Sequence, residues 1–140
     1  MNILVVEDQA FTRELMISLA ECAFPGATVQ AAMDLETALT MARSMSPLDM
    51  VLLDLGLPDS DGLNGLVHFR ADYPKAKVVI VSSQDAPELI ADALDAGARG
   101  FISKNLGIPS MLAALKLVAQ GGVYRPPALP HGAKAHDRSL

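Results

Sequence analysis

Short runs of β-branched and other apolar residues alternate with helically periodic stretches along most of this chain, and the runs are apolar nearly throughout: Ile3 to Val6, Val51 to Leu53, Val78 to Val81, and Phe101 with Ile102. A strand with no polar face must be covered on both sides. Helices between the strands provide that cover, so the alternation argues for βα units and a parallel sheet. Strands are predicted at Asn2 to Val6, Thr28 to Ala31, Met50 to Asp54, Lys77 to Val81 and Gly100 to Ser103. The second, with Gln30 inside it, reads as an edge.

The helices carry their own stop and start signals. The first presents Phe11, Leu15, Leu19 and Cys22 as a core-facing stripe and stops at Pro25-Gly26. The second starts after Asp34, an expected N-cap, and ends before Pro47. The third runs from about 63 to 73 and is stopped by Pro74, and the fourth runs from about 87 to 96 and closes on Gly97 as a left-handed cap. The fifth has Pro109 in its first turn and ends at Gly121-Gly122.

The fold class implied is α/β, a flavodoxin-like doubly wound (βα)5 with sheet order 2-1-3-4-5, because right-handed crossovers and one reversal at strand 1 give that order. Its consequence is chemical. The strands end in polar residues of different kinds: Glu7 and Asp8, Asp54, Ser82 and Lys104. All would emerge along the carboxyl edge, where open α/β sheets hold ligands. Strand spacing of about 4.8 Å puts Ser82 one strand from Asp54 and Lys104 two strands away, so that only a long side chain reaches back.

Three carboxylates against one ammonium repel an incoming phosphate unless a cation joins them. Magnesium, or manganese in its place, suits Glu7, Asp8, Asp54 and a backbone carbonyl, assigned to Gly56. Asp54 is then the nucleophile for a phosphoryl group whose oxygens are shared among the ion, Lys104 and the Ser82 hydroxyl. A single polar residue at a strand end is ordinary solvated structure. Five of them on four strand ends, of matching type and reach, make a site.

The 140 residues suit one domain, placed at 1–122, followed by a linker or tail over 123–140 with Pro126, Pro127 and Pro130 and a mildly basic balance. The net charge of −5 gives no reason to expect a nucleic-acid partner for this domain itself. A single cysteine, Cys22, builds no disulfide framework, and with no leader or long apolar segment the expected setting is cytoplasmic and free of membrane.

The segments Ile3-Leu-Val-Val-Glu-Asp8, Asp54-Leu-Gly-Leu-Pro-Asp-Ser-Asp-Gly62, Val79-Ile-Val-Ser-Ser83 and Gly97-Ala-Arg-Gly-Phe-Ile-Ser-Lys104 together resemble the receiver domain of bacterial two-component response regulators, over about Met1 to Pro127. The stretch to Val118-Ala-Gln-Gly-Gly-Val-Tyr-Arg-Pro-Pro127 further resembles the subclass that precedes a LuxR-type helix-turn-helix domain. The resemblance implies that Asp54 takes its phosphoryl group from a sensor histidine kinase or a phosphotransfer protein. It also implies that Ser82 follows the phosphoryl group inward and that Phe101 turns into the vacated space; a homodimer on phosphorylation is a further partner compatible with it, and the sequence leaves open whether a dimer forms. Output would be transcription through a DNA-binding domain absent from this chain; the alternative is a free-standing receiver acting by protein–protein contact.

Two positions depart from the common pattern. Glu7 stands where many receivers have aspartate, and its extra methylene alters its approach to the metal; Phe101 replaces the more frequent tyrosine and has no hydroxyl to bond when inward. Gly56 and Gln84 are expected to tune phosphoryl lifetime, the first by leaving the acyl phosphate unshielded and the second by orienting water.

Other readings are weaker. A haloacid-dehalogenase-type hydrolase needs a second aspartate where Gly56 stands, and a phosphate-independent interaction module would not need the intact set of Asp8, Asp54, Ser82 and Lys104. Hence the chain reads as a signalling phosphoacceptor and not as an enzyme. Asp59 and Asp61 read as turn chemistry, His68 as a solvated helix residue, and His131 and His136 share no ligand spacing.

Overall fold

A computed structural model describes residues 1–127. Five parallel strands, β1 (Asn2–Val6), β2 (Thr28–Ala32), β3 (Met50–Leu53), β4 (Lys77–Ser82) and β5 (Gly100–Ser103), alternate with five helices, α1 (Ala10–Ala23), α2 (Leu35–Ala42), α3 (Asn64–Asp72), α4 (Pro87–Asp95) and α5 (Ile108–Ala119). The sheet order is β2-β1-β3-β4-β5, as the crossover argument requires, with β2 at an edge.

Successive strand residues face opposite sides, and each side has its own core. Leu4, Val6, Val51, Leu53, Val78, Ile80 and Phe101 meet α2, α3 and α4. Ile3, Val5, Met50, Leu52, Val79, Val81 and Ile102 meet α1 and α5. The near-continuous apolar runs are therefore explained by burial on both faces.

The helix boundaries follow the local chemistry. Asp34 Oδ1 accepts the Thr37 amide at 2.7 Å and caps α2. Gly97 and Gly121 end helices at φ of 104° and 97°, and Gly26 sits at φ 89° in the turn after α1, a region costly for residues with a Cβ.

The expected face of α1 is corrected. Met16, Leu19, Ala20 and Ala23 are its buried residues. Phe11 is 85% exposed and Cys22 is exposed. Both stripes have helical spacing, so periodicity alone does not choose between them; the sheet selects the one rotated toward Met16 and Ala20. Phe11 lies in the first turn, at the carboxyl edge of the sheet and ahead of the packed stretch.

Beyond α5, Tyr124 lies against the outer edge of β5: its amide donates to Arg99 O at 2.9 Å, and the Phe101 amide donates to Tyr124 O at 3.1 Å. The start of the segment assigned to a linker thus bonds to the sheet. Residues 128–140 of that segment, with Pro130, His131 and His136, lie outside the described residues.

Candidate phosphoryl and cation site

Parallel register carries the five polar residues to one place. The Asp54 amide donates to Val6 O at 3.0 Å, which sets Asp54 beside Glu7, and the Lys104 amide donates to Ser82 O at 2.9 Å, which sets Lys104 beside the end of β4. A cleft of about 230 Å³ opens there, lined by Asp8, Asp54, Gly56, Ser82, Gln84 and Lys104 together with Gln9, Leu55 and Ser83.

Lys104 does reach back across two strands. Its Nζ lies 3.0 Å from Asp54 Oδ1 and 2.8 Å from Glu7 Oε1. Burial opposes the lysine charge, but the contacts with Glu7 and Asp54 outweigh it and hold the ammonium above the usual lysine range. Glu7 is wholly buried, and that burial raises its carboxyl despite Lys104 and the Gln9 amide, which donates to Oε2 at 3.1 Å. Apart from the ammonium, Oε1 has no polar partner.

Asp8 is exposed, whereas Asp54 and Ser82 are nearly closed off. Oxygens of Glu7, Asp8 and Asp54 lie within 4.8 Å of one another, a donor set of hard oxygens that fits a divalent cation. The Arg13 guanidinium donates from Nη1 to the carbonyls of Glu7 and Asp8, each at 3.2 Å, and so steadies the backbone that carries both acids. Ser82 Oγ accepts the Gln84 amide at 3.0 Å, which ties the start of the β4–α4 loop to the strand end. Gln84 itself is exposed at the rim.

A Cβ added at Gly56 would lie 3.4 Å from Asp54 Oδ2, ordinary contact distance, so any side chain there begins against the carboxylate. Phe101 does not line the cleft. Its ring is fully buried in the core beneath α4.

Sequence reasoning missed what Asp59 does. Its carboxylate leaves its own loop and accepts two amides of α2, Leu35 N at 2.8 Å on Oδ1 and Glu36 N at 2.9 Å on Oδ2. These bonds hold the Asp59 carboxyl below its ordinary value. Composition flagged a turn at this position, but no local signal points to a helix 23 or 24 residues away.

A doubly wound parallel sheet with an acidic, lysine-bridged cleft at its carboxyl edge defines a flavodoxin-like domain. Residues 3–116 match the response regulator receiver domain, and the chain belongs to that family. A glycerol metabolism activator of Pseudomonas putida is 35% identical over 137 residues, covering 98% of this chain and 62% of that protein. The KDP operon transcriptional regulatory protein KdpE of Escherichia coli is 34% identical over 116 residues, covering 83% of this chain and 50% of that protein. The crystal structure of a LuxR family DNA-binding response regulator from Silicibacter pomeroyi superposes with a TM-score of 0.78 at 31% identity, covering 90% of this chain and 97% of the other. The chain is thus homologous to two-component transcriptional regulators, and it spans little over half the length of the curated relatives it matches. No helix among the described residues is long and apolar enough to cross a membrane.

Proposed function

We propose that Asp54 accepts a phosphoryl group from a phosphohistidine on a sensor histidine kinase or phosphotransfer protein, and that the modified domain switches an output, transcription through a DNA-binding domain outside this chain. The observation that carries this reading is the Asp54–Lys104 contact at 3.0 Å inside a cleft that also holds Ser82 and two further carboxylates.

An Asp54 carboxylate oxygen attacks phosphorus while the donor's phosphorus–nitrogen bond breaks, and the imidazole leaves with the bonding pair. The Lys104 ammonium, keeping its proton, turns toward a phosphoryl oxygen and donates a hydrogen bond to it, and the Ser82 hydroxyl donates to another. Glu7, Asp8, Asp54 and the Gly56 carbonyl would hold magnesium or manganese, which supplies the charge compensation that three carboxylates otherwise deny an anionic substrate. Ser82 and Phe101 form the switch pair, with Gly56 and Gln84 setting the rate of hydrolysis. In this reading the signal leaves through the backbone, supported by the bond of the Phe101 amide to Tyr124, at the start of the segment assigned to a linker. Kinase recognition and homodimerisation on phosphorylation belong to the same proposal, as does a cytoplasmic setting.

Acetyl phosphate with magnesium tests it. Mass spectrometry should find one phosphoryl group, on Asp54, persisting for minutes and absent from Asp54→Asn. Label on another carboxylate, or none on Asp54, contradicts the reading.

A further inference from the structure

We propose that Asp59 is the positioning residue of this site: its carboxylate braces the acceptor loop against the amino end of α2 and so holds Gly56 in register with Asp8 and Asp54. The proposal rests on the cation-binding role of those residues argued above.

The residues between Asp54 and α3 form no strand or helix, yet Gly56 must stay within contact of Asp54. The loop is held at its start by the Asp54 amide on Val6 O and at its end by the Asn64 amide on Asp61 O at 3.1 Å. Between these, the Ser60 amide reaches Leu57 O only at 3.4 Å, and the Leu57 side chain enters the core that also holds Leu35. The forked contact of Asp59 is therefore the loop's strongest polar tie to the rest of the domain, with both oxygens engaged at 2.8 and 2.9 Å.

Capping alone does not account for it. α2 already has a local cap in Asp34, and a second aspartate from a distant loop adds a tether as well as two satisfied amides. What the tether joins is specific. α2 follows β2, and β2 ends at Ala32, whose carbonyl accepts the Glu7 amide at 3.0 Å. Asp59 thus closes a ring from the acceptor loop through α2 and β2 back to the acidic pair on β1. Without it, Gly56 stays tethered to Asp54 through Leu55 but loses its fixed position relative to Asp8.

The test measures manganese binding to the full chain by the electron paramagnetic resonance signal of free Mn2+, with no phosphodonor present and with thermal melts alongside. Asp59→Ala is expected to weaken binding about tenfold, the scale seen when a group orienting a metal ligand is removed. Asp59→Asn, which keeps one acceptor oxygen, should fall between it and wild type. Asp34→Ala removes the other cap of the same helix, and should lower the melting temperature while leaving manganese affinity unchanged. Wild-type affinity in both Asp59 variants, or an equal loss in Asp34→Ala, overturns the proposal. A wild-type chain that binds no manganese overturns the cation-site reading itself, and this one with it.

Discussion

Glu7 Oε1 and Lys104 Nζ stand 2.8 Å apart, and the Glu7 side chain is closed to solvent while the Lys104 side chain is 20% exposed. The pair is asymmetric in what it can give up. Lys104 can turn toward an incoming anion and still meet water, whereas Glu7 left behind has no other partner for Oε1. Under the proposed function, phosphoryl capture and the electrostatics of a buried acid are coupled through one side chain.

Replacing Lys104 by Met should abolish most phosphoryl uptake, by about 100-fold or more, because the charged group that compensates the transferring oxygens is gone. Single-turnover labelling with acetyl phosphate measures this. The same variant should be less stable at pH 7, since a buried carboxylate loses its counter-charge, by less than the ~3–5 kcal/mol of a fully buried pair because the Lys104 side chain is 20% exposed. Urea midpoints check the second effect independently of the first.

The pH dependence of Glu7 has a definite sign. Burial raises its folded-state pKa above the ordinary 4.5, so the protonated form favours the fold. That contribution is complete below the unfolded value and disappears as pH rises through the folded one. Glu7→Gln stays uncharged throughout, and its stability relative to wild type should increase as pH rises from the unfolded value toward neutrality. A difference that stays flat from pH 4 to 7 would count against a raised Glu7.

Gly56→Met should lengthen the life of phospho-Asp54. With a Cβ 3.4 Å from Oδ2, the side chain stands in the path of attacking water without forcing the backbone into a strained region. A slowing of about tenfold corresponds to roughly 1.4 kcal/mol on the hydrolysis barrier. Loss of label over time, followed by mass spectrometry, gives the rate; an unchanged or faster decay defeats the expectation.

Phe101 is wholly enclosed, which makes both larger and smaller replacements informative. Phe101→Ala should cost about 3–5 kcal/mol through the cavity it leaves. Phe101→Tyr adds a hydroxyl to an apolar core and should cost about 1–3 kcal/mol if that group finds no partner. Denaturant unfolding separates the two. A Tyr variant as stable as wild type would show that the ring site opens to a polar group.

Much of the fold was legible because its signals are local. Pro25-Gly26, Asp34, Pro74, Gly97 and Gly121-Gly122 punctuate the helices through backbone sterics and capping that need no distant partner. The apolar runs announced strands buried on two faces, and the strand ends observed differ from those expected by no more than a residue. The sheet order followed from chirality, and with it the meeting of Asp8, Asp54, Ser82 and Lys104 at one edge. Phe11 and Cys22 defeated the same style of reasoning, because two stripes on α1 carry helical spacing and only contact with the sheet separates them.

The sequence by itself determined which residue types reach the carboxyl edge, since strand parity and crossover handedness are properties of an L-amino-acid chain. Tertiary structure alone decided how they are arranged: Lys104 bridges Glu7 and Asp54, Glu7 is sealed under the cleft, Phe101 is wholly buried in the core, and Asp59 crosses to the end of another helix. Each of these depends on distances between segments far apart along the chain. Such distances are set by packing, in which burial and hydrogen bonding are satisfied jointly, and no local run of residues encodes them.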